Sequence, residues 1–132
     1  MLTLEEVIDN TALSCKTGGI AKWFGEASTY YYDEDAAQSG AISNDQSSWL
    51  QTTVSGPGTL SFYWKVSSEK SFDFFEFYID NIGQDRISGS VDWQQKSYQI
   101  SAGSHRLRWR YVKDGSNSFG SDCGWLDKIA FL

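Results

Sequence analysis

The chain has 132 residues, a formal net charge of −6, 16% aromatic and 21% charged residues, with 12 Gly, 1 Pro and 2 Cys. That length is one domain, large enough to bury a hydrophobic core. The acidic balance disfavours nucleic acid, which needs a basic footprint, and no apolar run approaches the roughly 18 residues of a membrane helix, so neither nucleic-acid binding nor membrane insertion is expected.

Residues 1 to 10, "MLTLEEVIDN", read as a lead-in segment. Glu5 and Glu6 suit the first turn of a helix, but irregular chain is an equal reading. The segment lacks the charged and apolar regions of a signal peptide. Two settings follow: a cytosolic protein, or a domain of a longer secreted chain carrying an added starting Met. A single domain is expected over residues 11–132.

Residues 17 to 47 are loop-rich, with "TGG", "FGEAS" and "QSGAISNDQSS", and hold an aromatic and acidic cluster in "TYYYDED". From Ser48 the pattern sharpens into alternation. "SWLQTTV" predicts a strand that "SGPG" ends with turn residues. "TLSFYWKVS" predicts a second strand, with Leu60, Phe62, Trp64 and Val66 on one side and Ser61, Tyr63, Lys65 and Ser67 on the other. After the turn "SEKS", "FDFFEFYID" alternates Phe75, Phe77 and Ile79 with Phe74, Glu76, Tyr78 and Asp80. "NIGQ" is a turn, "DRISG" a short strand, and "WQQKSYQI" puts Tyr98 and Ile100 on one side. After "SAGS", read as another turn, "HRLRWRYV" alternates Leu107, Trp109 and Tyr111 with Arg106, Arg108 and Arg110. "KDGSNSFGSDCG" is a polar loop and "WLDKIAFL" the last strand.

Short strands at this spacing, rich in aromatic and β-branched residues, predict an all-β sandwich or jelly roll. The expected core is Leu50, Val54, Leu60, Phe62, Trp64, Val66, Phe75, Phe77, Ile79, Tyr98, Ile100, Leu107, Trp109 and Tyr111. At roughly 1.5–3 kcal/mol per fully buried large side chain, such a set can hold a domain together.

Signs of catalysis are weak. The single His, His105, begins a strand, and a triad needs a base oriented by a third group. Carboxylates that could pair for glycoside hydrolysis exist in Glu26, Glu34, Glu69 and Glu76, but one sandwich of this size rarely carries a full cleaving cleft. No enzyme activity is expected. Acids in "YDEDAAQSG" (Asp33, Glu34, Asp35) and near the last strand (Asp122, Asp127) suit calcium, which takes six to eight oxygens from loops. Solvated loop acids are the other reading.

The outward sides of the strands carry Tyr63 and Lys65, Glu76 and Tyr78, and Arg106, Arg108 and Arg110, with Gln95, Ser97 and Trp93 as further members. Aromatic faces stack on pyranose rings, and guanidinium, carboxylate and amide groups hydrogen-bond to hydroxyls. The alternative is a polar sheet face of cross-strand ion pairs. For a glycan-binding face the candidates are Tyr63, Glu76, Tyr78, Trp93, Arg108 and Arg110, with Tyr31 of the "TYYYDED" loop as a second platform. Cys15 and Cys123 make no metal or redox motif at their separation; they are either buried thiols or one disulfide.

The segments "DAAQSG", "SSWLQTTVSGPGTLSFYWKVSSE" and "GWLDKIAF" resemble a jelly-roll module of the MAM-like and cleaved-adhesin type, found in large secreted and cell-surface bacterial proteins beside gingipain-like proteases. The resemblance covers roughly residues 10 to 131. It implies an all-β jelly-roll β-sandwich of two antiparallel sheets with first and last strands adjacent, and an accessory, non-catalytic role: a carbohydrate-binding module acting on a polysaccharide or surface glycan, or a protein–protein adhesion or spacer domain without a sugar site. It implies a multidomain parent with neighbouring domains, secreted or at the cell surface. It also implies structural calcium, with Asp35 and Asp127 as ligands; Asp33 and Glu34 match less well. The module usually has an aromatic near Cys15 and a small residue near Cys123. Two Cys arriving together on strands expected to be neighbours imply a Cys15–Cys123 disulfide, which would close a loop of roughly a hundred residues and contribute about 4–5 kcal/mol in the chain-entropy picture.

Overall fold

The structure is a computed structural model and describes residues 13, 15–27, 29–30, 35–42, 45–68, 73–113 and 123–132. The lead-in over residues 1 to 10 lies outside these.

Alternating apolar residues build eight described strands: β1 (Cys15–Gly19), β2 (Phe24–Glu26), β3 (Ala36–Gln38), β4 (Ser47–Ser67), β5 (Phe74–Ile79), β6 (Ile82–Ile87), β7 (Ser90–Val112) and β8 (Cys123–Phe131). All pairs are antiparallel. The end of β1 and the short strands β2 and β3 fall in the stretch 17 to 47 expected to be loop-rich.

The main departure from expectation is the length of β4 and β7. "SGPG" and "SAGS" do not reverse the chain. Both strands continue through them, paired from Ser47↔Val112 to Ser67↔Ser90, with a register shift between Gly56 and Gly58. Glycine and proline can mark a bulge or corner as well as a turn. At this corner a Cβ on Gly56 would collide with the Ser101 carbonyl, and Gly103 has φ 99°.

The bent ribbon of β4 and β7 therefore serves two sheets. The front sheet runs β1, the first half of β4, the second half of β7, β5, β6. The back sheet runs β2, β3, β8, the second half of β4, the first half of β7. Their inner faces meet through aromatic rings: Phe62 lies 4.9 Å from Phe77 and 5.3 Å from Trp109, and Trp64 lies 5.1 Å from Phe75. The result is the β-sandwich the alternation predicts. Of the expected core, only Ile79 and Tyr98 are partly rather than fully buried. Trp23, Ala37, Leu126 and Ile129 join it.

The disulfide is corrected. Cys15 and Cys123 are separate thiols. β1 and β8 both pair with β4, but on different halves, so they are not sheet neighbours. Cys15 stands across from Thr52, midway along the front half, whereas Cys123 stands across from Ser67 at the far end of the back half. Cys15 packs against the core, while Ser67 follows the inward Val66 and places Cys123 on the outer side. Bridging needs Cα atoms within about 7 Å and converging Cβ vectors, which this placement does not supply.

Candidate binding face

Because Phe62 and Phe77 both point into the sandwich, their strand neighbours Tyr63 and Tyr78 point out of it on opposite sides. The expected single face of Tyr63, Glu76, Tyr78, Trp93, Arg108 and Arg110 is thus corrected: it divides between two surfaces. Tyr63 stands across from Gln95 and Asp127 on the back sheet. Trp93 sits beside it, in a bulge where Asp92 and Trp93 both oppose Lys65. Lys65 Nζ meets Asp92 Oδ1 at 3.3 Å and lies 6.0 Å from the Trp125 ring. Along β8 this back surface is covered, since Cys123, Trp125 and Asp127 are buried. Tyr31, Asp33, Glu34, Glu69 and Asp122 lie outside the described residues.

Glu76, Tyr78, Arg108 and Arg110 do come together, on the front sheet. Antiparallel register sets Gly18, Trp49, Arg110, Glu76 and Arg86 in one row, and Lys16, Gln51, Arg108 and Tyr78 in the next. Arg110 forks onto Glu76, donating from Nε (3.0 Å) and Nη2 (2.8 Å) to Oε1. Nη2 also donates to the Tyr78 hydroxyl at 3.0 Å, and that hydroxyl donates to Glu76 Oε1 at 2.6 Å. The three side chains form a closed, charge-assisted network that fixes the Tyr78 ring. Burial, then the Glu76 bond and charge, raise the Tyr78 pKa above its ordinary value of 10.0. Burial works against the Arg110 charge, but Glu76 and Tyr78 outweigh it and raise its pKa.

Arg108 is held differently. Its Nε (3.0 Å) and Nη2 (2.6 Å) donate to Gln51 Oε1, and its guanidinium carbon lies 4.5 Å from the Trp49 ring centre. Partial burial, then the charges of Arg106 and Arg110, lower its pKa. Trp49 itself rests over β1, where a Cβ on Gly18 would strike the indole ring. Trp49 and Gln51 are site neighbours the sequence reading missed; the signal was present, since both alternate with the inward Leu50. Arg86 stacks its guanidinium 4.1 Å from the Phe74 ring.

Three of the clefts formed by the described residues open on this side of the molecule. One of about 290 Å³ is lined by Glu76, Tyr78, Gly83, Gln84, Asp85 and Arg86. One of about 200 Å³ is lined by Tyr78, Asn81, Arg108 and Arg110. One of about 330 Å³ is lined by Thr53, Asp80, Asn81, Ser104 and Arg106. Tyr78 is shared by the first pair and Asn81 by the second, so the clefts form a chain along β5 and its turn into β6.

At the end of that chain, Asp80 Oδ2 lies 2.6 Å from His105 Nδ1, and His105 Nε2 lies 3.1 Å from Ser101 Oγ. The order is that of a nucleophile, base and acid, but Nε2 has a second neighbour. Nε2 also lies 3.3 Å from the Ala102 carbonyl, which only accepts. The Asp80 bond raises the His105 pKa above its ordinary value of 6.5.

For calcium, the β3–β8 register Ala37↔Leu126 sets Asp35, the residue before β3, beside the part of β8 that carries Asp127. Asp127 Oδ1 already accepts the Lys128 N–H at 2.8 Å. Among the described residues no group of three or more His, Cys, Asp or Glu could hold a metal. The described side chains alone therefore do not make up the shell of six to eight oxygens.

No family model and no curated relative matches the chain. Solved structures do. The K1 cleaved-adhesin domain of Lys-gingipain from Porphyromonas gingivalis W83 superposes with a TM-score of 0.65 at 15% identity, covering 89% of each chain. The fold is a β-sandwich similar to that of cleaved-adhesin domains and carbohydrate-binding modules. TmCBM61, solved in complex with beta-1,4-galactotriose, gives a TM-score of 0.52 at 14% identity over 89% of this chain and 87% of its own. The secreted serine protease VesC from Vibrio cholerae gives 0.65 at 16% identity over 74% of this chain, which spans 21% of the protease. At these identities the likeness is one of fold. No helix among the described residues is long and apolar enough to cross a membrane.

Proposed function

We propose that this chain is a non-catalytic binding module of a larger secreted or surface protein, and that it binds a glycan along the outer face of the front sheet. The observation that carries this reading is the chain of clefts joined at Tyr78 and Asn81. An elongated, open groove suits a run of sugar units better than one small molecule. Tyr78 offers a ring held in place by Arg110 and Glu76, and Arg108, Asn81 and Gln84 offer donors and acceptors for hydroxyls. Binding would be passive, raising the local concentration of a tethered partner domain. Fold likeness to carbohydrate-binding modules supports the same reading.

A protein–protein adhesion or spacer role without a sugar site is the second reading, favoured by the higher TM-score of 0.65 to a cleaved-adhesin domain. Affinity electrophoresis through gels containing soluble polysaccharides separates the two. The glycan reading predicts retardation in at least one gel, relieved by Tyr78→Ala. No retardation across a broad panel, with protein-mediated adhesion intact in that variant, supports the adhesion reading.

A further inference from the structure

The front face has a charge that its protein does not. The chain carries a net charge of −6, yet Arg106, Arg108 and Arg110 alternate along β7 and project from one side, with Arg86 on β6 across Glu76. Residues two apart on a strand are only about 6.6–6.8 Å apart, so the three guanidinium groups repel one another unless anions lie between them. The carboxylates nearby are committed: Glu76 to Arg110 and Tyr78, Asp80 to His105 and to the Arg106 backbone N–H. Among the described residues, no carboxylate lies within ion-pair distance of the Arg86, Arg106 or Arg108 side chains.

Arg108 is the most telling of these. It is partly buried, flanked by two other arginines, and among the described residues held by neutral partners, the Gln51 amide oxygen and the Trp49 ring. Two of its five N–H donors go to Gln51. Among the described residues the others are left to a ligand, on the same surface as the cleft that Arg108 lines with Tyr78, Asn81 and Arg110. Neutral partners orient a guanidinium without neutralising it, which leaves its charge available to an incoming anion.

We propose that the glycan bound on this face is acidic, its carboxylate or sulfate groups received by Arg108 and Arg106 while sugar rings lie along Tyr78. A neutral glycan would leave the arginine row uncompensated. An anionic one relieves the repulsion and gains forked, charge-assisted hydrogen bonds. The inference rests on the glycan-binding reading above and names its substrate class.

The test compares matched polymers by isothermal titration at low and high salt: polygalacturonate against its carboxyl-reduced counterpart, dextran sulfate against dextran, and poly-glutamate as a non-sugar polyanion. We expect binding to polygalacturonate or dextran sulfate, little to the neutral counterparts, and weakening as salt screens the contacts. The preferred polymer identifies carboxylate or sulfate as the recognised group. Arg108→Gln should weaken that binding roughly tenfold to hundredfold. Arg106→Gln, at an exposed position with no side-chain bond among the described residues, should also weaken it without altering the melt. Equal binding of a neutral counterpart overturns the acidic inference while sparing the glycan reading. Failure of every polysaccharide overturns both. Equal affinity for poly-glutamate also overturns it, since the face would then read charge without sugar.

Discussion

Phe62 and Phe77 meet inside the sandwich with ring centroids 4.9 Å apart, and that contact sends the adjacent Tyr63 and Tyr78 to opposite surfaces. Everything proposed about binding depends on this division. The Tyr78 surface is open and lined with polar and aromatic groups, whereas Trp125 and Asp127 on the Tyr63 surface are buried.

The platform beneath Arg108 depends on a residue without a side chain. Gly18 faces Trp49 in the β1–β4 register, and any Cβ there meets the indole ring. Gly18→Ala should displace Trp49, loosen the Arg108 stack and weaken ligand binding several-fold, because cation–π contacts of this kind contribute about 0.5–1 kcal/mol or more. A melt combined with titration checks this. Unchanged affinity would show that Arg108 does not need Trp49 for its position.

Lys113 and Asp73 form an enclosed ion pair, with side-chain exposures of 0% for both and Nζ 3.4 Å from Oδ2. Lys113→Met leaves the carboxylate buried without its cation and should cost about 3–5 kcal/mol in denaturant unfolding. Asp73→Asn combined with Lys113→Met should recover much of that loss. A single-variant cost below about 1 kcal/mol would mean that the pair is not enclosed in solution.

The His105–Asp80 contact gives a pH window. The His105 pKa is raised from 6.5, chiefly by its bond to Asp80, so its contribution to stability is full below that value and is lost as pH rises through the folded pKa. The Asp80 pKa is lowered from 3.8, chiefly by His105 and then by the Arg106 N–H, so its contribution is present above 3.8 and is lost as pH falls through the folded pKa. The pair should be fully formed between roughly those two values. An NMR titration of the imidazole should place His105 above 6.5, with Asp80→Asn returning it toward that value. A midpoint at or below 6.5 in the unmodified protein would contradict the geometry.

Structural calcium at Asp35 and Asp127 remains a proposal, based on the resemblance and on the pairing of β3 with β8. If the ion is bound there, EDTA lowers the melting midpoint, added calcium restores it, and Asp127→Asn removes the difference. An unchanged midpoint removes calcium from the account.

Much of the fold was legible because alternation is a local signal. Leu60, Phe62, Trp64 and Val66, or Leu107, Trp109 and Tyr111, declare an inner face whatever the strands do next. Glu76 and Tyr78 could be joined to Arg108 and Arg110 because each set alternates with core residues of one sheet. Tyr63 and Trp93 were placed wrongly because "SGPG" and "SAGS" carry the residues of a reversal but build a corner. Whether glycine and proline turn a chain back or bend it onward depends on pairing with a distant strand, here Gly56 against Gly103. Cys15 and Cys123 failed for the same reason: their separation is set by which half of β4 each neighbours.

The most direct test of the central claim compares Tyr78→Ala with Tyr63→Ala. Both variants, with the unmodified chain, are titrated against whichever polysaccharide retards the protein, after matched melts establish folding. Loss of roughly tenfold or more in affinity for Tyr78→Ala, with Tyr63→Ala unchanged, is the result predicted for a binding face on the front sheet. The reverse pattern, or equal loss in both, would contradict it.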